Sequence, residues 1–185
     1  MTDTTTPATG TAAPVSGAAT RWLSDEESAA WVRLIAVTEL LPTVLDAQLG
    51  ADAGLTHFEF LTLQALAAAD GRTMRMTALA SLTNSTLPRL SHVMRRLEAR
   101  GLVHRFPCPE DRRATNATLT DEGVALLERA APGHVGAVRE TVIDRLSPEQ
   151  QRQLYDIAGA ILGELDPDER FDATSCQFSR GPQLP

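Results

Sequence analysis

Basic and hydrogen-bonding side chains are concentrated on one face of a predicted helix that runs from Thr86 to Arg100. Apolar residues recur there at spacings of three and four, which places them together on the face toward the core. These apolar residues are Leu87, Leu90, Val93, Met94 and Leu97. The other face, with the residue before the helix, presents Ser85, Pro88, Arg89, Ser91, His92, Arg95 and Arg96.

This exposed face has the chemistry of a DNA-reading helix. Arginine can donate two hydrogen bonds to guanine or neutralise a phosphate, and serine and histidine can reach base edges or the backbone. A solvated charged face without any partner is the alternative.

More arginines follow in a loop between two predicted strands. The strands are Val103–Phe106 and Thr115–Leu119, and the proline-flanked loop Pro107–Ala114 joins them. An arginine at the tip of a stiff hairpin can enter the narrow, strongly negative minor groove of DNA. The helix and the hairpin thus predict two contacts with one duplex.

The charge distribution supports a polyanionic partner although the 185-residue chain has a formal net charge of −7. Residues 71–117 contain nine arginines and three acidic residues, so this segment carries +6 and the remainder −13. A local basic segment can bind a polyanion while the acidic remainder keeps the protein soluble.

Capping sequences divide the rest of the chain into helices. A first helix is predicted from Ser24 to about Gly50, and a second from Thr56 to about Gly71, followed by a short strand near Met74–Met76. The remaining predicted starts are Thr77 for a short helix, Asn84 with Ser85 for the basic helix, Thr120 for a long helix kinked at Pro132 and Gly133, and Ser147 for a last helix ending at Pro167.

The first helix is apolar on two sides, with Trp31, Leu34 and Ile35 on one and Val32 and Val37 on the other. Such a helix needs partners on both sides. No uninterrupted apolar run approaches the roughly 20 residues of a membrane helix, and the N-terminus lacks the pattern of a signal peptide. We therefore expect a cytoplasmic protein without a membrane partner.

The sequence contains no constellation of residues that predicts catalysis, a metal site or a cofactor. Its histidines and cysteines are His57, His92, His104, His134, Cys108 and Cys176. They match neither a helical His pair nor a Cys-His cluster, and no paired carboxylates or phosphate-binding glycine loop accompany them. Oxidation of Cys108, beside the hairpin loop, is a route to altered DNA affinity, and an ordinary thiol is the alternative.

The run from Asn84 to Gly123, NSTLPRLSHVMRRLEARGLVHRFPCPEDRRATNATLTDEG, resembles the signature region of the MarR family of bacterial regulators. Three pieces carry the resemblance: RRLEARGLV at the helix end, Asp111-Arg112-Arg113 in the loop, and LTDEG at the start of the next helix. The helix pattern from about residue 24 to 165 extends it over nearly the whole predicted ordered chain.

The resemblance implies a mainly α fold, a winged helix-turn-helix whose wing is the small β-hairpin, with N- and C-terminal dimerisation helices. It implies an obligate homodimer with two recognition helices in successive major grooves of double-stranded DNA. Arg113 would then be the minor-groove arginine, Asp111 would orient it through a salt bridge, and Arg112 would contact phosphate.

The resemblance also implies a pocket for a small-molecule effector between the dimerisation helices and the DNA-binding lobe. Its candidate residues are Trp22, Trp31, His57, Phe58, His134, Arg139 and Tyr155. Aromatic residues at helical spacing also occur as ordinary core residues, so both interpretations stay open.

We therefore expect a flexible N-terminal tail over residues 1–22, a winged helix domain over 23–165 and a flexible C-terminal tail over 166–185. Within the domain, the DNA-binding lobe covers about 55–119, and the dimerisation helices cover about 24–49 and 120–165. The expected function is a ligand-responsive repressor that binds a pseudo-palindromic operator. The alternative is a winged helix that binds an acidic protein partner without sequence-specific DNA binding.

Overall fold

The computed structural model describes residues 20–109, 111, 113–168 and 170. The helices are α1 (Asp25–Ala53), α2 (His57–Ala68), α3 (Met76–Leu82), α4 (Leu87–Ala99), α5 (Asp121–Thr141) and α6 (Pro148–Leu165). The strands are β1 (Thr73–Arg75), β2 (Val103–Pro107) and β3 (Thr115–Leu119). This confirms the predicted mainly α winged helix-turn-helix with a small hairpin. Most of the two predicted tails, residues 1–19, 169 and 171–185, lies outside the described residues.

The chain divides into two compact units, and the boundary lies within α1, between Val37 and Thr38. In the first unit, the backbone N–H of Ser24 donates to the Glu27 carboxylate at 2.8 Å, and the Glu27 N–H donates to Ser24 Oγ at 3.2 Å. The predicted capping box is therefore present, and α1 begins at Asp25, directly after Ser24.

Helix α1 is long and apolar enough that, by length and composition alone, it could cross a membrane. The core helix of a soluble protein meets the same criterion, so this observation leaves the expectation of a protein without a membrane partner as a prediction.

The second unit contains the hydrophobic core, to which α1, α2, α3, α4, α5 and the sheet all contribute. Its largest fully buried apolar side chains are Leu49, Leu55, Phe60, Leu63, Leu66, Leu79, Leu90, Met94 and Leu97. Leu126, Leu127 and Ala130 of α5 close the same core. Because α4 contributes three of these side chains, its position depends on the core of this unit.

Most predicted caps are confirmed. Thr56 and Glu59 form a reciprocal capping box at α2, Thr120 Oγ1 accepts from the Gly123 N–H at 3.0 Å, and Ser147 forms a capping box at α6. Thr77 was wrongly predicted as a cap, because α3 begins at Met76 directly after β1 and has no side-chain cap.

The three strands form an antiparallel sheet in the order β1-β3-β2. Val103 pairs with Leu119 and Pro107 with Thr115, so β2 and β3 make the predicted hairpin. Gly101 has a φ of +72° and turns the chain from α4 into β2. A Cβ at Gly123 would lie 2.3 Å from the carbonyl oxygen of Leu102, so glycine allows α5 to approach the start of β2.

Helix α5 continues through Pro132 and Gly133, where the sequence predicts a kink, and ends at Thr141. The expected loose tail after α6 needs correction. Asp166, the first residue of the expected loose tail, is buried and accepts a 2.6 Å hydrogen bond from Arg170 Nε. A buried carboxylate needs such a partner, which fixes the chain just after α6.

Candidate nucleic-acid interface

Helix α4 exposes the side chains that the sequence assigned to a DNA-reading face. Pro88, Arg89, His92, Arg95 and Arg96 are exposed, and Ser85 and Ser91 are partly buried. On the opposite face Leu90, Val93, Met94 and Leu97 are buried, as predicted. Leu87 is the exception: it is 42% exposed, because it is the first helical residue and lies at the edge of the core.

The start of α4 differs by one residue from the predicted start. Thr86, rather than Asn84 or Ser85, is the N-cap, and its hydroxyl accepts from the Arg89 N–H at 3.4 Å. Pro88 is the second helical residue, where its missing N–H removes no helical hydrogen bond. Arg89 and His92 therefore lie near the N-terminal end of α4, where recognition helices usually meet bases.

Two of the α4 arginines contact the first turn of α2. The guanidinium carbon of Arg89 lies 4.6 Å from the centroid of the Phe58 ring, a cation–π contact. Arg96 lies 3.3 Å from Glu59 Oε1, and this carboxylate is only 1% exposed. A charge buried to that extent needs a counter-charge, so Arg96 has a structural role besides its predicted contact with DNA.

Arg95 has a different environment. Its Nη2 lies 3.4 Å from His92 Nδ1, and both side chains are exposed. Within the described part of the chain, no carboxylate lies within 4.0 Å of the Arg95 or Arg89 guanidinium. Because no described carboxylate neutralises them, these two guanidinium groups can bind an external anion.

The other end of α4 is joined to the hairpin by Glu98 and Arg105. The Glu98 carboxylate accepts from the Arg105 backbone N–H at 2.8 Å and from its Nε and Nη2 at 2.9 and 2.6 Å. Hydrogen bonds from the Arg105 side chain lower the pKa of Glu98, so the pair stays charged at neutral pH. This bidentate contact orients the wing relative to α4.

The wing exposes Arg113 at its turn. Backbone hydrogen bonds from Cys108 to Ala114 at 2.9 Å and from Ala114 to Asp111 at 2.9 Å close the loop. The Asp111 carboxylate accepts from the Arg113 backbone N–H at 3.0 Å. This differs from the expected side-chain salt bridge, because the carboxylate caps the turn itself. The predicted phosphate contact, Arg112, lies outside the described residues.

Cys108 is 4% exposed, and its Sγ lies 3.5 Å from Arg75 Nη2. A thiol buried at the base of the hairpin is poorly accessible to an oxidant. The structure therefore favours the interpretation of Cys108 as an ordinary packed thiol. Cys176 lies outside the described residues.

The structure brings some of the candidate effector residues together. The rings of His57 and His134 stack with centroids 5.7 Å apart, and Phe60 lies 4.5 Å from His134. Burial, with a smaller contribution from His57, lowers the pKa of His134 to about 4, and burial also lowers the pKa of His57. Both imidazoles are therefore neutral at pH 7.

The other candidate effector residues have their own environments. Trp22, Trp31 and Tyr155 are 84%, 54% and 81% exposed. Arg139 forms an ion pair with Asp144 at 2.6 Å. Phe58 directly follows His57 in the sequence, and its ring packs against the guanidinium group of Arg89. Among the described residues, no group of His, Cys, Asp and Glu could hold a metal ion.

Sequence reasoning assigned no role in positioning α4 to Glu98, Arg100 or Arg105. It also missed this role for Glu59, which belongs to the capping box of α2. Arg100 donates to the carbonyl oxygens of Gly54 and Ala53 at 2.8 and 3.1 Å, across 46 and 47 residues of chain. Contacts between residues so distant in the chain have no signature in a single sequence.

Comparison with known proteins agrees with this geometry. The MarR family model matches residues 55–115, which include α2, α3, α4 and the start of the hairpin. The crystal structure of Sco3205 from Streptomyces coelicolor, a MarR family transcriptional regulator in complex with DNA, is 47% identical. The similarity covers 81% of this chain and 94% of that chain, with a TM-score of 0.76. This chain belongs to the MarR family.

Two further comparisons extend the similarity. AbsC, a MarR family regulator from Streptomyces coelicolor, is 38% identical over 79% of this chain and 98% of its own, with a TM-score of 0.73. The regulator PecS of Dickeya dadantii is 36% identical over 84 residues, 45% of this chain and 48% of PecS. This MarR-family chain therefore spans about half the length of that curated relative.

Proposed function

We propose that this MarR-family protein is a sequence-specific transcriptional regulator that binds double-stranded DNA as a homodimer. The observation that carries the proposal is the exposed basic face of α4, where no carboxylate among the described residues pairs with Arg89 or Arg95. Arg113 is exposed on the hairpin that Glu98 and Arg105 join to the same helix. A basic helix for the major groove beside an arginine for the minor groove is a DNA-binding arrangement.

A second copy of the chain is the proposed partner of the apolar helices at the two ends. In α6, Leu154, Ile157, Ile161, Leu162 and Leu165 are 38–68% exposed. In α1, apolar side chains such as Trp31, Val32 and Leu40 are 54–67% exposed. Clusters of exposed apolar side chains mark interaction sites. A two-fold dimer would also match a pseudo-palindromic operator.

The proposed role is repression in the cytoplasm, relieved or altered by a small-molecule effector. The dimer would cover a promoter site, and an effector would shift the spacing of its two recognition helices. His57 stacks on His134, and the next residue, Phe58, packs against Arg89, which supports a link between the proposed effector region and α4. The remaining candidate residues are Trp22, Trp31, Arg139 and Tyr155.

Selection of bound duplexes from a random DNA pool, repeated with candidate effectors, tests this function. Enrichment of a two-fold symmetric sequence, with saturable binding at fixed salt, is the expected result. Failure to enrich any site would overturn the proposal and favour a winged helix that binds an acidic protein. A matched selection with Arg95→Ala is expected to enrich the site weakly or not at all.

A further inference from the structure

The C-terminal end of α1 is held by a side chain from the end of α4. Arg100 is the C-cap residue of α4, and its Nη1 and Nη2 donate to the carbonyl oxygens of Gly54 and Ala53 at 2.8 and 3.1 Å. The planar guanidinium therefore binds two successive carbonyls as a fork. This contact lies within the second unit of the chain and connects two helices distant in sequence.

The end of α1 leaves these two carbonyls available. The Gly54 N–H donates to the Gly50 carbonyl at 3.1 Å and the Leu55 N–H donates to the Leu49 carbonyl at 3.2 Å, with Gly54 at a φ of +62°. Backbone N–H groups of the chain thus satisfy the carbonyl oxygens of Leu49 and Gly50, as is common where a helix ends at a glycine. The last turn of α1 contains no basic residue, so Arg100 supplies the positive charge that this end of the helix dipole favours.

The fork adds direction to the packing between the two helices. Leu49 and Leu97 bury apolar surface in the same core, and such contacts are non-directional. Two charge-assisted hydrogen bonds from one planar group define the angle of α4 relative to the end of α1 more narrowly. Arg89 and Arg96, by contrast, contact α2 rather than α1.

We propose that Arg100 is a positioning residue that transmits the placement of α1 to the recognition helix and so sets the operator half-site spacing that the dimer accepts. This rests on the proposed function, in which α1 belongs to the dimer interface and α4 reads DNA. Two recognition helices match one spacing only if each is fixed relative to the dimer helices. Without the two hydrogen bonds from Arg100, α4 can change its angle relative to α1, and the dimer then accepts a wider range of half-site spacings.

The test compares the wild-type protein, Arg100→Ala, Arg100→Lys and a control, Arg129→Ala, which removes an exposed arginine of α5. The probes are duplexes with the selected half-sites at their natural spacing and with one or two base pairs inserted at the centre. For wild type and Arg129→Ala, we expect affinity to fall about tenfold or more per insertion, an effect as large as a mismatched position. For Arg100→Ala we expect a fall of less than about threefold, with intermediate behaviour for Arg100→Lys, which has no fork.

The other readouts separate positioning from stability and charge. The affinity of Arg100→Ala for a single half-site and its melting temperature are expected to stay close to those of wild type. A spacing profile of Arg100→Ala as steep as that of wild type would overturn the proposal, and so would a flattened profile for Arg129→Ala, because loss of charge alone would then explain the effect. If the wild-type protein selects no duplex, the proposed function has failed instead.

Discussion

Helices α4 and α6 are both amphipathic, yet they present opposite faces to solvent. Helix α4 buries Leu90, Met94 and Leu97 completely and exposes its arginines. Helix α6 has no buried residue and leaves Ile157 59% and Ile161 38% exposed. An apolar face that is buried within the chain fixes a helix for presentation, whereas one that stays exposed needs a partner. The comparison supports the proposed DNA contact by α4 and the proposed self-association through α6.

The largest expected effect comes from making the apolar face of α6 polar. Ile157→Gln combined with Ile161→Gln should dissociate the dimer and leave each chain folded, because neither side chain contributes to the core. Operator affinity should then fall by about 10²–10⁴-fold, because linked half-site binding is lost. Sedimentation and DNA titration measure the two effects, with Gln153→Ala on α6 as the control. A double variant that remains dimeric would contradict the proposed self-association through α6.

Truncation of the buried face of α4 should have a smaller effect, and this effect should be on the stability of the chain rather than on its association. Leu90→Ala should lower the free energy of unfolding by about 2–5 kcal/mol, because it leaves a cavity in the core. This loss should be the same at all protein concentrations. Leu162→Ala in α6 is the matched variant, and its effect should depend on concentration because it acts through association. Denaturant unfolding at two concentrations distinguishes them, and equal behaviour of the two variants would contradict the assignment.

The buried imidazole of His134 should make stability depend on pH. Burial lowers its folded pKa to about 4 from the ordinary value of 6.5, so the unfolded state binds a proton first as the pH falls. Stability is therefore complete above pH 6.5 and is lost progressively as the pH falls toward 4. Between pH 7 and pH 5 the loss should be about 2 kcal/mol.

The variant His134→Gln removes this titration and should lose less stability over the same pH range. His92→Gln, which changes an exposed imidazole of α4, is the control and should behave like wild type. Chemical unfolding at the two pH values measures both. An unchanged pH dependence in His134→Gln would show that another group dominates.

Local features of the fold could be predicted from the sequence because they depend on a few neighbouring residues. The caps at Thr56, Thr120 and Ser147 were of this kind. Thr77 failed as a cap because the pairing of Arg75 with Asn116 keeps the chain extended up to the start of α3. Leu87 followed the apolar spacing, but the spacing does not show where the core ends.

The contacts that position the candidate site could not be predicted in the same way. Glu59 with Arg96, and Arg100 with Gly54, join residues that are close only after the chain has folded. Composition located the basic segment, whereas the structure separates its arginines into those that the protein anchors and those that remain available. Arg95 is in the second group, and Arg96 and Arg100 are in the first.

The most direct test of DNA binding by α4 and the wing is a salt-controlled titration of the selected operator with wild type, Arg113→Ala and Arg95→Ala. Both variants should remain dimeric, and each should lose about 1–3 kcal/mol of binding free energy or more. The exposed arginine of α6 provides the control, since Arg152→Ala should bind like wild type. Affinities of Arg113→Ala and Arg95→Ala equal to that of wild type at the same salt concentration would contradict the account.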